Sequence, residues 1–337
     1  MKPNKVLAAV LSTILAGSVL AACGDDSSDG GSAGSSTDGL TKVRLAFTPG
    51  ASTLPVHVAI EKGLFEKHGL DVEATEGLEL PSYTAGLDKQ WDIAMATPGI
   101  WVAAANPLDL VVLAGGQAVK EGSLFGNPLI VRGDDIKTPE DLIGKRVGVP
   151  VLTGSTPSSL QYLVQQAGGK ASDIELVQVP FDQTGDQLKA GQVDAASSSS
   201  PFSVSILADP QNHAIFDAQW EALHDIAPDL ESIISIVYGS TRTFAAANPD
   251  AAKGFQDALQ ESQEWMEDPA NSAEAKQMMS DWLGYPLDVV ERVEWPMPIE
   301  ARVTAEQLQP NIDLLVAVGV LSEADAPDLS DRFPVDN

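Results

Sequence analysis

Four junctions in this chain combine hydroxyls, glycine and the start of a helical pattern, a chemistry suited to gripping oxygen atoms. The stretch VGVPVLTGSTPSSLQYLV sets Thr153, Gly154, Ser155 and Thr156 between an apolar run and an apolar-periodic run. Ser52 and Thr53 follow KVRLAF, Thr97 and Pro98 follow DIAMA, and Ser199, Ser200 and Phe202 follow VDAAS. A helix start offers free backbone N–H groups and a partial positive charge, so it favours an anion, though the same donors also bind neutral oxygens. A single Ser or Thr at such a place is an ordinary cap. Four of them converging on one cleft make a candidate ligand site. Tyr83, Phe202 and Tyr238 are the candidate aromatic walls, with Trp295 at the rim. Arg242 is placed to pair with a carboxylate or sulfonate, or with a surface acid.

Other chemistries lack their residues. No Gly-x4-Gly-Lys-[Ser/Thr] loop and no Gly-x-Ser-x-Gly elbow occurs. The four histidines show no metal-ligand spacing, and one cysteine excludes an intramolecular disulfide or a zinc-thiolate site. No catalytic residue, metal or cofactor is expected. With 48 acidic against 20 basic residues in 337, the formal charge is −28, which repels a nucleic acid.

The elements that must position these junctions alternate along the chain. KVRLAFTP, LDVEATEG, WDIAMATPG and LDLVVLAGG read as strands, with helical patterns between them, LPVHVAIEKGLFEKHG being one helix to about Gly69. KRVGVPV, IELVQVP and VDAASSS repeat the plan, and the tail after Asn248 is helical. Strands alternating with helices predict βαβ units around mainly parallel sheets. Strands at Leu129–Arg132 and Ile234–Tyr238 are expected to cross between two lobes as a hinge. The expected division is residues 40–131 plus 239–337 as a discontinuous first lobe, and 132–238 as the second. Before them, Lys2 and Lys5 precede an apolar stretch ending Leu-Ala-Ala-Cys23, a secretory leader over residues 1–22. Residues 23–39 are a Gly/Ser/Asp-rich tether that cannot bury apolar surface.

LPVHVAIEKGLFEKHGLDVE, WDIAMATPG, IKTPEDLIGKRVGVP, GSTPSSLQYLVQQAG and LKAGQVDAA, in that order, carry a family likeness. From Val43 to Leu283 the chain resembles the nitrate/sulfonate/taurine-type substrate-binding proteins of ABC importers. The leader resembles a bacterial lipobox, in which Cys23 becomes the lipidated first residue. The resemblance implies an α/β, two-lobed periplasmic-binding-protein fold of type II, closing on a small organic anion such as a sulfonate or carboxylate. It implies a monomer that hands its solute to a permease and its ATPase, held on the outer face of the cytoplasmic membrane by lipid on Cys23. Family ligands include nitrate, alkanesulfonates, taurine, aromatic carboxylates and pyrimidine vitamin precursors. A related branch makes a vitamin pyrimidine with a Cys-rich motif, which this chain lacks. A ligand-sensing receptor of the same fold and a hydrolase are the alternative readings.

Overall fold

The computed structural model describes residues 39–77 and 80–335. The expected leader, Cys23 and all but the end of the tether lie outside the described residues. In chain order the strands are β1 (Thr41–Phe47), β2 (Leu70–Glu76), β3 (Ile93–Ala96), β4 (Leu110–Gly115), β5 (Ala118–Lys120) and β6 (Pro128–Arg132). They continue as β7 (Arg146–Val149), β8 (Glu175–Gln178), β9 (Ala195–Ser197), β10 (Asn212–Asp217), β11 (Ser232–Ile234) and β12 (Val237–Thr241). Two five-stranded sheets result, ordered β2-β1-β3-β12-β4 and β10-β6-β9-β7-β8, with β5 and β11 paired between them in sequence.

Each sheet is clothed on both faces, which is why its strands read as nearly continuous apolar runs. Along β1, Val43, Leu45 and Phe47 face one cluster with Phe65 and Phe255, while Ala46 faces another with Trp101 and Val237. That alternation is the two-residue period of a strand. In the second sheet Leu129, Val131, Val147 and Val149 meet Leu160, Val164 and Leu223, and Ile130 and Ala196 meet Leu188 and Ile206 on the reverse side. Each such fully buried side chain contributes roughly 1.5–3 kcal/mol of transfer free energy.

Three expectations are corrected. The sheets are mixed rather than mainly parallel: β1 pairs β2 and β3 in parallel, but β12 runs antiparallel to β3 and β4. Likewise β7 pairs β8 and β9 in parallel, while β6 opposes β9 and β10. The reason is connectivity, since β6 and β12 are the strands by which the chain enters each sheet from the other. The crossing segments also differ. Leu129–Arg132 lies inside β6, and the strand read at Ile234–Tyr238 is broken at Ser235-Ile236, giving β11 to the crossing ribbon and β12 to the first sheet. The ribbon itself is β5 against β11, with Ala118 opposite Ile234. Third, the first long helix stops at Glu61, because Gly63 takes a left-handed φ of +64°, and a short turn Leu64–Lys67 follows.

The helix Ala305–Ala317, expected with the first lobe, packs on both. Leu308, Ile312 and Leu315 join the first sheet's cluster, and Leu314 joins the second's. No helix among the described residues is long and apolar enough to cross a membrane.

Candidate functional site

Ligands of open α/β sheets bind beyond the carboxyl ends of parallel strands. In the first sheet those ends are Phe47 of β1 and Ala96 of β3; in the second they are Val149 of β7 and Ser197 of β9. The pairings Leu129 with Ser197 and Asp217 with Pro128 bring the start of β6 and the end of β10 to that same edge. Every hydroxyl-rich junction of the sequence therefore stands on one of these edges.

The two edges touch. Gly154 adopts φ +104°, a conformation that glycine accepts without strain, and this turns the chain into the helix Ser155–Gln166. A Cβ added to Gly154 would lie 3.4 Å from Thr97 Oγ1 across the cleft. Thr97 Oγ1 is itself buried with no hydrogen-bond partner in the protein. Pro98 is buried beside it, at the first position of the helix Pro98–Ala105. Ser155 donates its hydroxyl to Asn311 Oδ1 at 3.3 Å, and Asn311 Nδ2 donates to the Ile234 carbonyl at 3.0 Å. Thr156 Oγ1 accepts from Gln219 Nε2 at 3.0 Å. Thr153 is exposed at the lip.

The remaining candidates divide between cleft and core. Thr53 Oγ1 donates to the Thr48 carbonyl at 2.8 Å, holding the turn from inside, while Ser52 is half-buried. Tyr83 is fully buried, and its hydroxyl donates to the Phe47 carbonyl at 2.9 Å. Tyr238 is buried edge-on to Phe255 at 5.5 Å, and burial alone pushes its phenol far above the ordinary range. Both tyrosines are core residues of the first lobe. Ser200 Oγ lies 3.4 Å from Ser203 Oγ, and Ser199 is half-buried. Phe202 stacks on Phe181 at 5.5 Å and meets Tyr285 edge-on at 5.4 Å, so an aromatic group joins the second lobe to the C-terminal segment. Burial and the Asp182 charge push the Tyr285 phenol up to about 12. Trp295 packs half-buried with Lys276 Nζ 5.4 Å from its ring centre, and Arg242 pairs with Asp109 and Asp331.

Ser198 and Ser159, hydroxyls of two of the junctions read from the sequence, are fully buried, and neither Oγ has a partner in the protein. Other candidates escaped that reading. Gln219 Oε1 and Asn127 Oδ1 are buried acceptors without a partner. They flank Asp217, whose carboxylate accepts from the backbone N–H groups of Gln219 at 2.8 Å, Trp220 at 3.2 Å and Asn127 at 3.3 Å. Burial raises the Asp217 pKa, and these three bonds oppose the rise. A half-buried pair, His57 stacked on Trp282 at 4.4 Å, stands on the first lobe, and burial lowers the imidazole pKa. Among the described residues no cluster of His, Cys, Asp or Glu is arranged to hold a metal ion.

Comparison with known proteins gives a consistent picture. The profile of the family described as "NMT1/THI5 like" matches residues 51–272, well over half of the chain. A putative thiamine biosynthesis protein of Haemophilus influenzae is 34% identical over 152 residues, 42% of this chain and 45% of that one. The nitrate/nitrite binding protein NrtA of Synechococcus elongatus is 25% identical over 275 residues, 74% of this chain and 60% of that one. The chain thus spans about half to three-fifths of the length of these two relatives. Among solved structures, the periplasmic aliphatic sulphonate binding protein SsuA from Escherichia coli superimposes with a TM-score of 0.70 at 18% identity. That superposition covers 87% of this chain and 97% of the other, and establishes a shared two-lobed fold.

Proposed function

The chain belongs to the NMT1/THI5-like family, and from that membership we propose that it is an extracytoplasmic solute-binding protein of an ABC importer. Its two lobes close over one small organic solute and present it to a permease and its ATPase. The observation that carries this reading is the meeting of the two sheet edges at Thr97 and Gly154, where the Thr97 hydroxyl is buried without a partner, as are those of Ser159 and Ser198 at the second lobe's two junctions. A buried polar group without a partner costs about 1–3 kcal/mol, so such a cluster is explained when a ligand completes it.

The start of the helix Ser155–Gln166 and its hydroxyls support an oxygen-bearing solute, in line with the organic acids expected from the sequence. Lipid on Cys23 anchors the protein outside the cytoplasmic membrane, in this proposal, and the described residues work as a monomer. The absence of a metal-type cluster among the described residues carries no weight against enzymatic action. The reading as a binder rests on the family and on the two-lobed cleft.

The test is a thermal-shift measurement with a low-molecular-mass extract of growth medium. A ligand at 100 times its dissociation constant raises stability by about 2.7 kcal/mol. A reproducible shift, with the compound recovered unchanged, supports a binder; a compound recovered hydrolysed supports the enzyme alternative. No shift with any extract fraction sinks the binding reading.

A further inference from the structure

The ribbon of β5 and β11 is shared between the lobes. Val119 and Ile233 stand opposite each other across it and join the second lobe's cluster, whereas the next residue, Ile234, joins the first lobe's. One face of the ribbon belongs to each lobe, as the two-residue period of a strand dictates. Turning between the lobes therefore falls beside the ribbon, where the chain changes sides. On the first crossing that change takes one residue. Phe125 is buried with Leu54, Met297 and Ile299 of the first lobe. Asn127 donates its N–H to Asp217 of the second lobe and accepts the Ser197 hydroxyl on its carbonyl. Gly126 stands between them. On the second crossing the change falls at Ser235-Ile236, the break between β11 and β12.

Gln117 reaches both places. It is buried, and main-chain bonds on either side fasten it to the first lobe: Glu300 N–H donates to the Gly116 carbonyl at 2.7 Å, and Ala118 N–H donates to the Pro298 carbonyl at 2.9 Å. Its own carbonyl accepts three bonds from the second crossing, from Ser235 N–H at 2.8 Å, Ile236 N–H at 3.0 Å and the Ser235 hydroxyl at 3.0 Å. Its side chain lies at the first crossing. A Cβ on Gly126 would stand 2.9 Å from Gln117 Nε2 and 2.8 Å from Asp217 Oδ2. Asp217 is not free to swing aside, since the N–H groups of Gln219 and Trp220 hold its other oxygen. Glycine, with no Cβ, passes between the two side chains.

Building on the reading of a two-lobed binder, we propose that Gln117 is the positioning residue of its hinge: the lobes turn at Gly126 and at Ser235-Ile236, and Gln117 holds both points to the first lobe. Two points fixed to one residue define one axis, so the lobes swing about a line and do not slide past each other. Asn311 Nδ2 bonds the Ile234 carbonyl next to the second point, which keeps the helix Ala305–Ala317 beside that axis. The lobes already touch at Thr97 and Gly154, so a turn that relieves a methyl group at Gly126 parts them.

The experiment measures the distance between spin labels on cysteines replacing exposed Glu76 and Leu152, at the cleft edges of the first and second lobes, in the full chain carrying Cys23→Ser. Gly126→Ala is expected to shift the distribution to longer distances. Ser235→Ala, which removes one of the three bonds to the Gln117 carbonyl, is expected to broaden it. Ser262→Ala is the control: it removes a buried bond to the Pro55 carbonyl inside the first lobe, and should lower the melting temperature with the distribution unchanged. An unchanged distribution in either hinge variant overturns the assignment. An equal change in Ser262→Ala overturns it too, because any loss of stability would then part the lobes. If Gly126→Ala does not fold, Ser235→Ala decides alone. No solute enters this measurement, so a failed hinge leaves the binding reading in place, and the medium-extract test judges that reading separately.

Discussion

Gly99 of the first lobe meets Gly154 of the second backbone to backbone: a methyl group on Gly99 would stand 2.9 Å from the Gly154 Cα and 3.1 Å from the Ser155 nitrogen. Neither neighbour is a flexible side-chain tip that can swing aside. Gly99→Ala therefore pushes the lobes apart at the point where they touch, at a cost of about 1–3 kcal/mol in the closed state. The expected outcome is about a tenfold or greater loss of affinity for the solute, with a larger radius of gyration by small-angle scattering. Unchanged affinity would show that closure does not bring these glycines together.

Asn311 reaches from the helix Ala305–Ala317 to Ser155 on one side and to the Ile234 carbonyl of the crossing ribbon on the other. Removing it leaves a buried carbonyl and a buried hydroxyl without their partner. Asn311→Leu should lower the free energy of unfolding by about 1–3 kcal/mol in urea titration. It should also broaden the distance distribution between labels at exposed Lys89 and Lys189, one on each lobe, measured in a Cys23→Ser background. Asn311→Asp keeps an acceptor for Ser155 but sets a buried carboxylate against the Ile234 carbonyl, so it should destabilise at least as much as Asn311→Leu. A destabilised variant with an unchanged distribution would make Asn311 a core residue and not a hinge residue.

Burial against Trp282 lowers the His57 pKa, with Glu61 and Glu76 pulling the other way. The unfolded chain takes up this proton near pH 6.5, while the folded state resists it until lower pH. Stability from the neutral ring is thus fully present above about pH 6.5 and is lost as the pH falls toward the folded value. The melting temperature should drop between about pH 7 and pH 5, and His57→Phe should flatten that drop. Equal slopes in the two proteins would sink the assignment.

Cys23 is the chain's single cysteine and the proposed lipid-bearing residue. Two acyl chains suffice for stable attachment, and without them a protein of this composition has no comparable hold on the bilayer. Cys23→Ser should move the protein from the membrane fraction to the soluble extracytoplasmic fraction or the medium, as read by immunoblot. Retention at the membrane in the variant would point to a different anchor.

The junctions were legible because glycine and hydroxyl residues interrupt apolar runs at Thr97, Gly154 and Ser198, and βαβ order puts such interruptions on one edge. What escaped was set by distant partners. Asp217 ends β10 and Gln219 follows it, and that edge strand is half-buried over most of its length, so its residues carry no clear apolar run. Asn311 sits in the sequence as one polar residue beside Pro310, and nothing local reveals a serine 156 positions away. Tyr83 and Tyr238 lie near the right junctions in sequence, yet both rings turn into the core, because strand and helix faces alternate faster than sequence proximity conveys. The mixed character of the sheets was hidden for a similar reason. The direction of β6 and β12 depends on where the chain comes from, which their own residues do not encode.

The place of β12 between β3 and β4 bears on the order in which the protein takes shape. Until residue 241 is available, the first sheet has a gap in its middle, and β4 has no partner within it. Contacts so far apart along the chain form late, after their loop-closure entropy has been met. A chain emerging from its N-terminus thus stays threadable until well past its midpoint. Under the extracytoplasmic placement proposed above, the late strand is a built-in delay for a chain that crosses the membrane unfolded.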